Sequence, residues 1–372
     1  MRERGHNGGP VDFSIATPAD AAEIATLLRS VDMDGWVRVA IARDPDPFAA
    51  DLGLGQPHGF VLARESARGS LVGVCEVSVR EVWADGAPRR RAYIGALRIA
   101  PAHRHRISIL RGGFARVAAL LADAGLSRIA FTAIADDNRV ARRLLTAGLP
   151  GLPTYLPAGG LATLALAPSR RHRFAPCITP SPPRTEVIAF LSRELSRHTL
   201  APVWHEAYWS NAAATGLPQA ELLVARDAGG VAGTIAVWDQ RFARQTLIAG
   251  YTPVVARARP FVNAAAGLLR LPRLPPAGAA LDQVLLSHFA VRDADAATAL
   301  SLLAAGLALA RSHSIDVALL GLAADSPLLP LVRKRFGGLV YRSTIYIVHW
   351  PETAEEARHL AASGVYPDVA VL

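Results

Sequence analysis

Residues Tyr93 to Asn138 constrain the fold of this chain more than any other stretch. An apolar run from Tyr93 to Ala100 is typical of a buried strand, and Pro101 ends it. After a basic loop, apolar residues recur at helical spacing, and a second apolar run begins at Ile129. Strand, helix and strand in this order predict a βαβ unit whose strands are parallel neighbours with a right-handed crossover.

The loop between the first strand and the helix is basic and reads His103-Arg104-His105-Arg106. A helix N-terminus attracts anions, because it presents free N–H groups and the positive end of the helix dipole. Arginine side chains can add charge-assisted hydrogen bonds to phosphate oxygens. The loop therefore predicts a site for a phosphorylated ligand, with a solvated basic loop as the alternative interpretation.

The composition predicts a folded chain of two ordinary domains, since 51% of the 372 residues are hydrophobic and 19% are charged. The net charge of +9 is carried almost wholly by arginine, because Lys334 is the only lysine. The arginines are spread along the chain and are not clustered with aromatic residues, which argues against a nucleic-acid partner. A positive surface is compatible with acidic ligands.

The sequence also favours a cytoplasmic location. Cys75 and Cys177 do not form a disulfide framework, and neither has His or Cys neighbours at the spacing of a metal site. The first ten residues have no apolar core, and no uncharged apolar run reaches the roughly 18 residues of a membrane span. We therefore expect no signal peptide, no metal and no membrane partner.

The central segment resembles the GNAT superfamily of acetyl-CoA-dependent N-acetyltransferases. The resemblance is carried by Leu97-Arg98-Ile99-Ala100-Pro101, by His103-Arg104, and by Asn138, Ala141 and Leu144, which are similar to an Asn-x-x-Ala-x-x-Leu helix start. It implies that the strand backbone binds the pantetheine arm and that the loop binds the pyrophosphate of acetyl-CoA or another acyl-CoA. The cofactor-binding residues that it implies are Leu97, Arg98, Ile99, His103, Arg104, Arg106, Ile107, Ser108, Ile109 and Asn138.

The loop departs from the family pattern Arg/Gln-x-x-Gly-x-Gly/Ala at its two small positions. Arg104 matches the first position, but Ile107 and Ile109 stand where small residues let backbone amides approach phosphates. The tyrosine that many members use as general acid falls at Leu145. Tyr93 and Tyr155 are the nearest substitutes, with packing as the alternative for each.

The expected catalytic residues are Glu76, Glu81 and Tyr155. The two carboxylates precede the organising strand, where members of the family often keep a base. Glu76 alternates with apolar neighbours, which is also the pattern of a solvent-exposed position.

The pattern of elements recurs in the second half of the chain. Ile99 corresponds to Val291, Ile129 to Val317 and Asp136 to Asp325, at nearly constant spacing. The predicted fold class is α/β, with two tandem GNAT-like mixed-sheet αβα domains. The predicted divisions are a disordered tail at 1–10, an N-terminal domain at 11–167, a Pro/Arg-rich linker at 168–183, a degenerate C-terminal domain at 184–351, and a C-terminal helix and tail at 352–372.

Several further segments carry expectations. Trp36 to Leu54 is predicted as a helix and loop, and residues 251–282 are an insertion without a predicted structure. The second-copy loop at Arg292 to Ala296 is acidic and should repel pyrophosphate. The aromatic cluster from Trp204 to Trp209 either binds a ligand or covers the seam between the domains, and His288 is expected to be a core histidine.

These features predict an acyl-CoA-dependent N-acyltransferase that moves an acetyl or acyl group to a primary amine of a small-molecule or peptide acceptor. The donor would bind the N-terminal domain of a monomer (a pseudo-dimer) or of a homodimer. The alternatives are a catalytically degenerate scaffold and an acyltransferase that uses an acyl carrier protein as donor. An open gap between the parallel strands at Ile99 and Ile129 would favour an enzyme, whereas a gap filled by Ile107 and Ile109 would exclude one.

Overall fold

The computed structural model describes residues 9–30, 36–51, 58–169, 171–175, 177–214, 219–366 and 368–372. Most of the predicted tail at 1–10 lies outside these ranges, as does Leu54. The strands are β1 (Val11–Ile15), β2 (Val37–Ala42), β3 (His58–Glu65), β4 (Leu71–Ala84), β5 (Ala87–Ile99), β6 (Ile129–Ala135), β7 (Thr154–Leu166), β8 (Ile178–Pro180), β9 (Glu221–Asp227), β10 (Gly230–Trp238), β11 (Gln245–Tyr251), β12 (Gln283–Val291), β13 (Val317–Ala323) and β14 (Leu339–His349). The helices are α1 (Ala21–Ser30), α2 (Ile107–Asp123), α3 (Arg139–Leu145), α4 (Arg184–Leu195), α5 (Glu206–Ala214), α6 (Pro253–Leu269), α7 (Ala296–Ser312), α8 (Leu328–Phe336) and α9 (Ala354–Ala362).

A twelve-stranded sheet runs through both halves of the chain, in the order β1-β3-β4-β5-β6-β14-β7-β13-β12-β10-β9-β8. The pairs β5–β6 and β12–β13 are parallel and the other pairs are antiparallel, which confirms the predicted mixed α/β sheet. The strands β1-β3-β4-β5-β6 and β8-β9-β10-β12-β13 run inwards from opposite edges, so the two halves are related by an approximate twofold axis.

The two halves exchange their last strands at the centre of this sheet. The strand β7 ends the first half but pairs with β13 and β14 of the second half. The strand β14 ends the second half but pairs with β6 of the first half. The division into domains at 11–167 and 184–351 stays a prediction, and residues 168–183 contain β8. Each half therefore completes the sheet of the other.

The helices cover both faces of the first half. Successive residues of a strand face opposite sides, so Val74 packs towards α1 with Phe60, while Cys75 packs towards α2 with Phe114. Cys75 is buried and Cys177 exposed, and both are free thiols. In the second half, the nearly all-apolar α7 packs against β10 and is deeply buried, as its sequence predicts.

The prediction of a helix after Trp36 is wrong, because β2 occupies residues 37–42 and pairs with β11 in a separate two-stranded sheet. Alternating Val37, Val39 and Ile41 have the period of a strand. Their partner lies in the second half of the chain, beyond the reach of local sequence patterns. The segment at 251–282 contains α6, which follows β11 directly.

Candidate active site

The parallel strands β5 and β6 separate at the centre of the first half. They are paired only at Ala92–Ala130 and Tyr93–Phe131. Beyond that point β5 continues to Ile99 and β6 to Ala135, and over these described residues the two strands do not pair with each other. The resulting cleft is closed towards Ile129 and open towards Ile99.

A bulge in β5 borders this cleft. Val74 pairs with Arg98 and Glu76 pairs with Gly95, so Ala96 and Leu97 together oppose a single residue of β4. Ala96 has a φ of 45°, a conformation that non-glycine residues rarely adopt. A bulge leaves backbone groups outside the ladder, where they are available to a ligand.

The basic loop leads into α2, which has 17 residues, and no side chain of the described ranges caps its N-terminus. The amides of its first turn therefore lack a side-chain partner within those ranges. Arg104 is exposed, whereas Arg106 is half-buried, with a guanidinium nitrogen 3.3 Å from Nδ1 of His103 and 3.9 Å from a carboxylate oxygen of Glu65. Among the predicted phosphate ligands, Arg104 and the exposed Ser108 are the most accessible.

The two isoleucines of the loop pack in different places. Ile109 is buried with Ala63 and Val72, and its Cγ2 lies 3.3 Å from the position of a Cβ on Gly73. Ile107 is half-buried and packs against the core cluster on the α2 side of the sheet. Ile109 therefore anchors the helix to β4.

Asn138 has a structural role that its sequence motif also predicts. Its side-chain oxygen accepts a hydrogen bond of 3.1 Å from the amide of Ala141 and caps α3.

Glu76 lies at the centre of a buried charged cluster on the α1 side of the sheet. It is only 3% exposed, so the solvent-exposed interpretation is wrong. Arg43 donates to its Oε2 at 2.6 Å, and Nε2 of His58 lies 3.1 Å from its Oε1. Burial opposes ionisation of the carboxyl, but Arg43 and His58 outweigh it and lower its pKa. Glu76 is therefore an ionised partner for cations.

Further arginines surround this carboxylate. Burial, followed by the proximity of Arg43, lowers the pKa of Arg244 to about 10, and the same two causes lower the pKa of Arg98. Arg244 donates to Oε1 of Gln240 at 2.7 Å and to the carbonyl of Ala370 at 2.9 Å. The cluster joins β2, β4, β5 and the segment before β11, which sequence spacing does not bring together.

A cavity of about 380 Å³ lies on the same side of the sheet, between the two halves. Its floor includes Arg80 and Val82, which follow Glu76 on the same face of β4, and Phe131, which marks the point where β5 and β6 separate. Val203 donates to the carbonyl of Glu81 at 3.0 Å and brings the segment before α5 against β4. The other lining residues are Glu81, Leu200, Pro202, Val203, Trp204, His205, Ala207, Tyr208, Asn211, Asp368, Val371 and Leu372.

Carboxylates from both halves line this cavity. Oε2 of Glu81 lies 3.1 Å from Nε2 of His205. Asp368 accepts hydrogen bonds from the amides of His288 at 3.0 Å and Ala370 at 2.9 Å, yet burial raises its pKa to about 6. A carboxylate that titrates near neutral pH in a cavity is suited to take up a proton. The sequence contains no local signal that identifies Asp368.

The fold does not bring Tyr155 to Glu81 and Asp368, the carboxylates that line the cavity. Tyr155 is buried with Phe114 and Tyr346 in the core on the α2 side, whereas Glu76 faces the α1 side. Burial raises its pKa well above the usual value. Tyr93 lies closer to the cluster, and burial, followed by Glu76, raises its pKa to about 12.

The aromatic cluster lines the cavity between the two halves. Trp204 stacks on His288 with ring centroids 3.6 Å apart, and Tyr208 and Trp238 pack around them. His288 is fully buried, and burial lowers its pKa to about 3, so its ring is neutral. It occupies a bulge of β12 with a φ of 52°, the counterpart of Ala96 in β5.

Within the described ranges, no group of three or more His, Cys, Asp or Glu side chains could hold a metal ion. In the same part of the chain, no helix is both long and apolar enough to cross a membrane.

Comparison with known proteins gives matches in structure alone. A scan against models of known families finds no match, and a search of curated proteins finds none. The N-myristoyltransferase of Saccharomyces cerevisiae with bound myristoyl-CoA matches with a TM-score of 0.57 and 11% identity, over 93% of this chain and 85% of that one. A second structure of that enzyme with myristoyl-CoA also has a TM-score of 0.57 and 11% identity, over 97% and 87%.

A GCN5-related N-acetyltransferase from Anabaena variabilis matches with a TM-score of 0.49 and 12% identity, over 91% of this chain and 72% of that one. The splayed parallel strands, the bulge beside them and the match to N-myristoyltransferase lead to one conclusion about architecture. The chain has the GNAT fold, in a tandem arrangement of two copies.

Proposed function

We propose that this chain is an acyl-CoA-dependent N-acyltransferase that transfers an acyl group to a primary amine. The donor would lie in the cleft between β5 and β6, with its pyrophosphate at the N-terminus of α2. The observation that carries this proposal is the separation of two parallel strands directly in front of an uncapped, arginine-flanked helix N-terminus. Such an N-terminus favours phosphate, and Arg104 is exposed beside it.

The acceptor amine would enter the cavity beside the cleft. Phe131 forms part of the cavity wall where the strands separate, so a ligand in the cavity lies next to a donor in the cleft. In the reaction the amine nitrogen attacks the thioester carbonyl, the C–S bond breaks, and coenzyme A leaves as the thiolate. Backbone N–H groups at the bulge would stabilise the oxyanion, as the expected role of Leu97 to Ile99 requires.

The amine must lose a proton, and two carboxylates of the cavity are placed to accept it. Burial raises the pKa of Asp368 to about 6, which suits this role. Glu81 is paired with His205 and would orient the amine or share this role. Glu76, by contrast, is engaged with Arg43 and His58, which suits it to hold the cluster together.

The proposal is tested by calorimetric titration of the intact chain with coenzyme A and with acyl-CoA from acetyl to myristoyl. We expect binding that Arg104→Ala weakens by roughly tenfold, since charge-assisted hydrogen bonds are the strong ones. Arg89→Ala, which removes an exposed arginine at the end of β5 opposite to Ile99, is the matched control. Thiol release in the presence of a panel of amines then reports transfer and identifies the acceptor class.

Absence of binding by every thioester, with the chain folded, would reject this proposal. Transfer only from an acylated carrier protein would favour that donor instead. Equal weakening by Arg104→Ala and Arg89→Ala would place the phosphate elsewhere.

A further inference from the structure

Helix α6 presents large apolar side chains to solvent along one side. Val254, Phe261 and Leu268 are 77%, 77% and 84% exposed. Successive members are two helical turns apart, so they form a line parallel to the helix axis. Trp36, which is 80% exposed, lies at the start of this line, because the amide of Thr252 donates to its carbonyl at 3.1 Å. We call these side chains the α6 line.

Positive charge surrounds the α6 line. The sequence from Gln245 to Leu281 contains no aspartate or glutamate. At the end of α6, the guanidinium of Arg270 donates to the carbonyl of Arg335 at 3.0 Å and connects the helix to the basic last turn of α8. Among the residues that the structure describes, no carboxylate pairs with the members of this basic rim, which are Arg257, Arg270, Arg273, Arg333, Lys334 and Arg335.

We propose that α6 docks this chain on the surface of a bilayer that contains anionic lipid. A helix in the plane of the membrane buries an apolar line at one depth, while flanking arginines and lysine reach lipid phosphates. Tryptophan favours the same interfacial depth. A planar surface contacts the whole α6 line at once, and its negative charge complements a rim that has no acidic residue.

The position of α6 in the fold suits this role. The helix follows β11 of the two-stranded sheet, and none of its residues lines the cavity between the two halves. The sequence-based expectation of no membrane partner considered only spanning segments, and α6 lies on the surface. The residues of α6 are not those of the candidate active site. A negative result for membrane docking would therefore leave the proposed function unaffected.

The test is co-sedimentation of the intact chain with vesicles of phosphatidylcholine, alone or mixed with phosphatidylglycerol. We expect binding to the mixed vesicles, weakened by salt because screening shortens the reach of the charges. Phe261→Ser with Leu268→Ser should lower the affinity by roughly a hundredfold, since two large side chains lose their burial. Arg257→Gln with Arg273→Gln should lower it by roughly tenfold or more.

Matched controls distinguish docking through α6 from nonspecific hydrophobic adsorption and from nonspecific electrostatic attraction to the vesicles. Val140→Ser removes an apolar side chain that is 76% exposed on α3, and Arg68→Gln with Arg89→Gln removes the same charge elsewhere. Both controls should bind as the parent chain does. No binding to mixed vesicles at low salt would overturn the proposal, as would equal losses in the controls. Dimers in light scattering that Phe261→Ser abolishes, without vesicle binding, would assign the α6 line to a second copy.

Discussion

Glu76 and Arg43 form a buried ion pair with side chains only 4% and 7% exposed. Taking two charges out of water is expensive, and removing one of them leaves the other without compensation. The neighbouring Arg98 and Arg244 increase the expected cost of removing Glu76, because its negative charge offsets theirs on this face of the sheet. A single side chain therefore controls the electrostatic balance of the cluster.

We predict that Glu76→Gln destabilises the fold by about 3–5 kcal/mol at pH 7, because the charge of Arg43 is left buried and unpaired. The folded-state pKa of this carboxyl is lowered, so its contribution is present above its usual value of 4.5 and declines as the pH falls. Urea unfolding at several pH values measures both effects, and Glu355→Gln on the exposed side of α9 is the control. Similar unfolding midpoints for the two variants would contradict the prediction.

A second residue-scale prediction concerns Asp368. If it accepts the amine proton, the rate of transfer should rise with pH through about 6, where this carboxyl loses its proton. Asp368→Asn should lower kcat by roughly 10²–10⁴-fold and remove this rising limb, since the amide cannot take up a proton. A pH–rate profile of both proteins checks this, and an unchanged profile in the variant would exclude the role.

At the scale of elements, α2 is fixed by a close approach to β1. A Cβ on Gly112 would lie only 2.2 Å from the ring of Phe13, whereas nothing lies within 4 Å of a Cβ on the adjacent Gly113. This contact sets the position of the helix whose N-terminus faces the cleft.

The two glycines give a matched pair of substitutions. Gly112→Ala should destabilise the chain by about 1–3 kcal/mol, because Phe13 must move out of a packed position. Gly113→Ala should stabilise it by about 1 kcal/mol, because alanine favours the helix interior over glycine. Denaturant unfolding measures the free energy of unfolding of both variants. A destabilisation by Gly113→Ala as large as that by Gly112→Ala would contradict the packing explanation.

Elements governed by local patterns were predictable from the sequence, and those defined by distant partners were not. The strand ending at Ile99 and the helix after Arg106 follow from periodicity and from Pro101. The strand β2 was missed because β11 is its only pairing partner among the described strands. The same limit applies to the candidate site, because the sequence predicts Glu76 and Glu81 as candidates, whereas Arg43 and Asp368 reach it from other parts of the chain.

At the scale of the whole molecule, the exchange of β7 and β14 makes each half dependent on the other. The strand β14 covers the edge of β6, with residue pairs that run from Ala135 opposite Ser343 to Ile129 opposite His349. The strand β7 covers the edge of β13 in the same way. An isolated half would expose the edge of a central strand.

We predict that residues 1–167 and 184–372, produced separately, show no cooperative thermal unfolding, whereas the mixture of the two recovers it. Circular dichroism on heating, with size-exclusion chromatography of the mixture, provides the measurement. An intact chain cut once within 168–183 is the control, and it should stay folded. A cooperative transition in either half alone would show that the exchange is dispensable.

Lys334 lies exposed in the last turn of α8, and it is the only lysine of the chain. A protein proposed to acylate primary amines thus offers its own chemistry a single side-chain amine, in addition to an α-amino group. The same scarcity makes the chain convenient for spectroscopy. An amine-reactive fluorophore would mark one side chain within the basic rim, where its emission would report directly on contact with lipid.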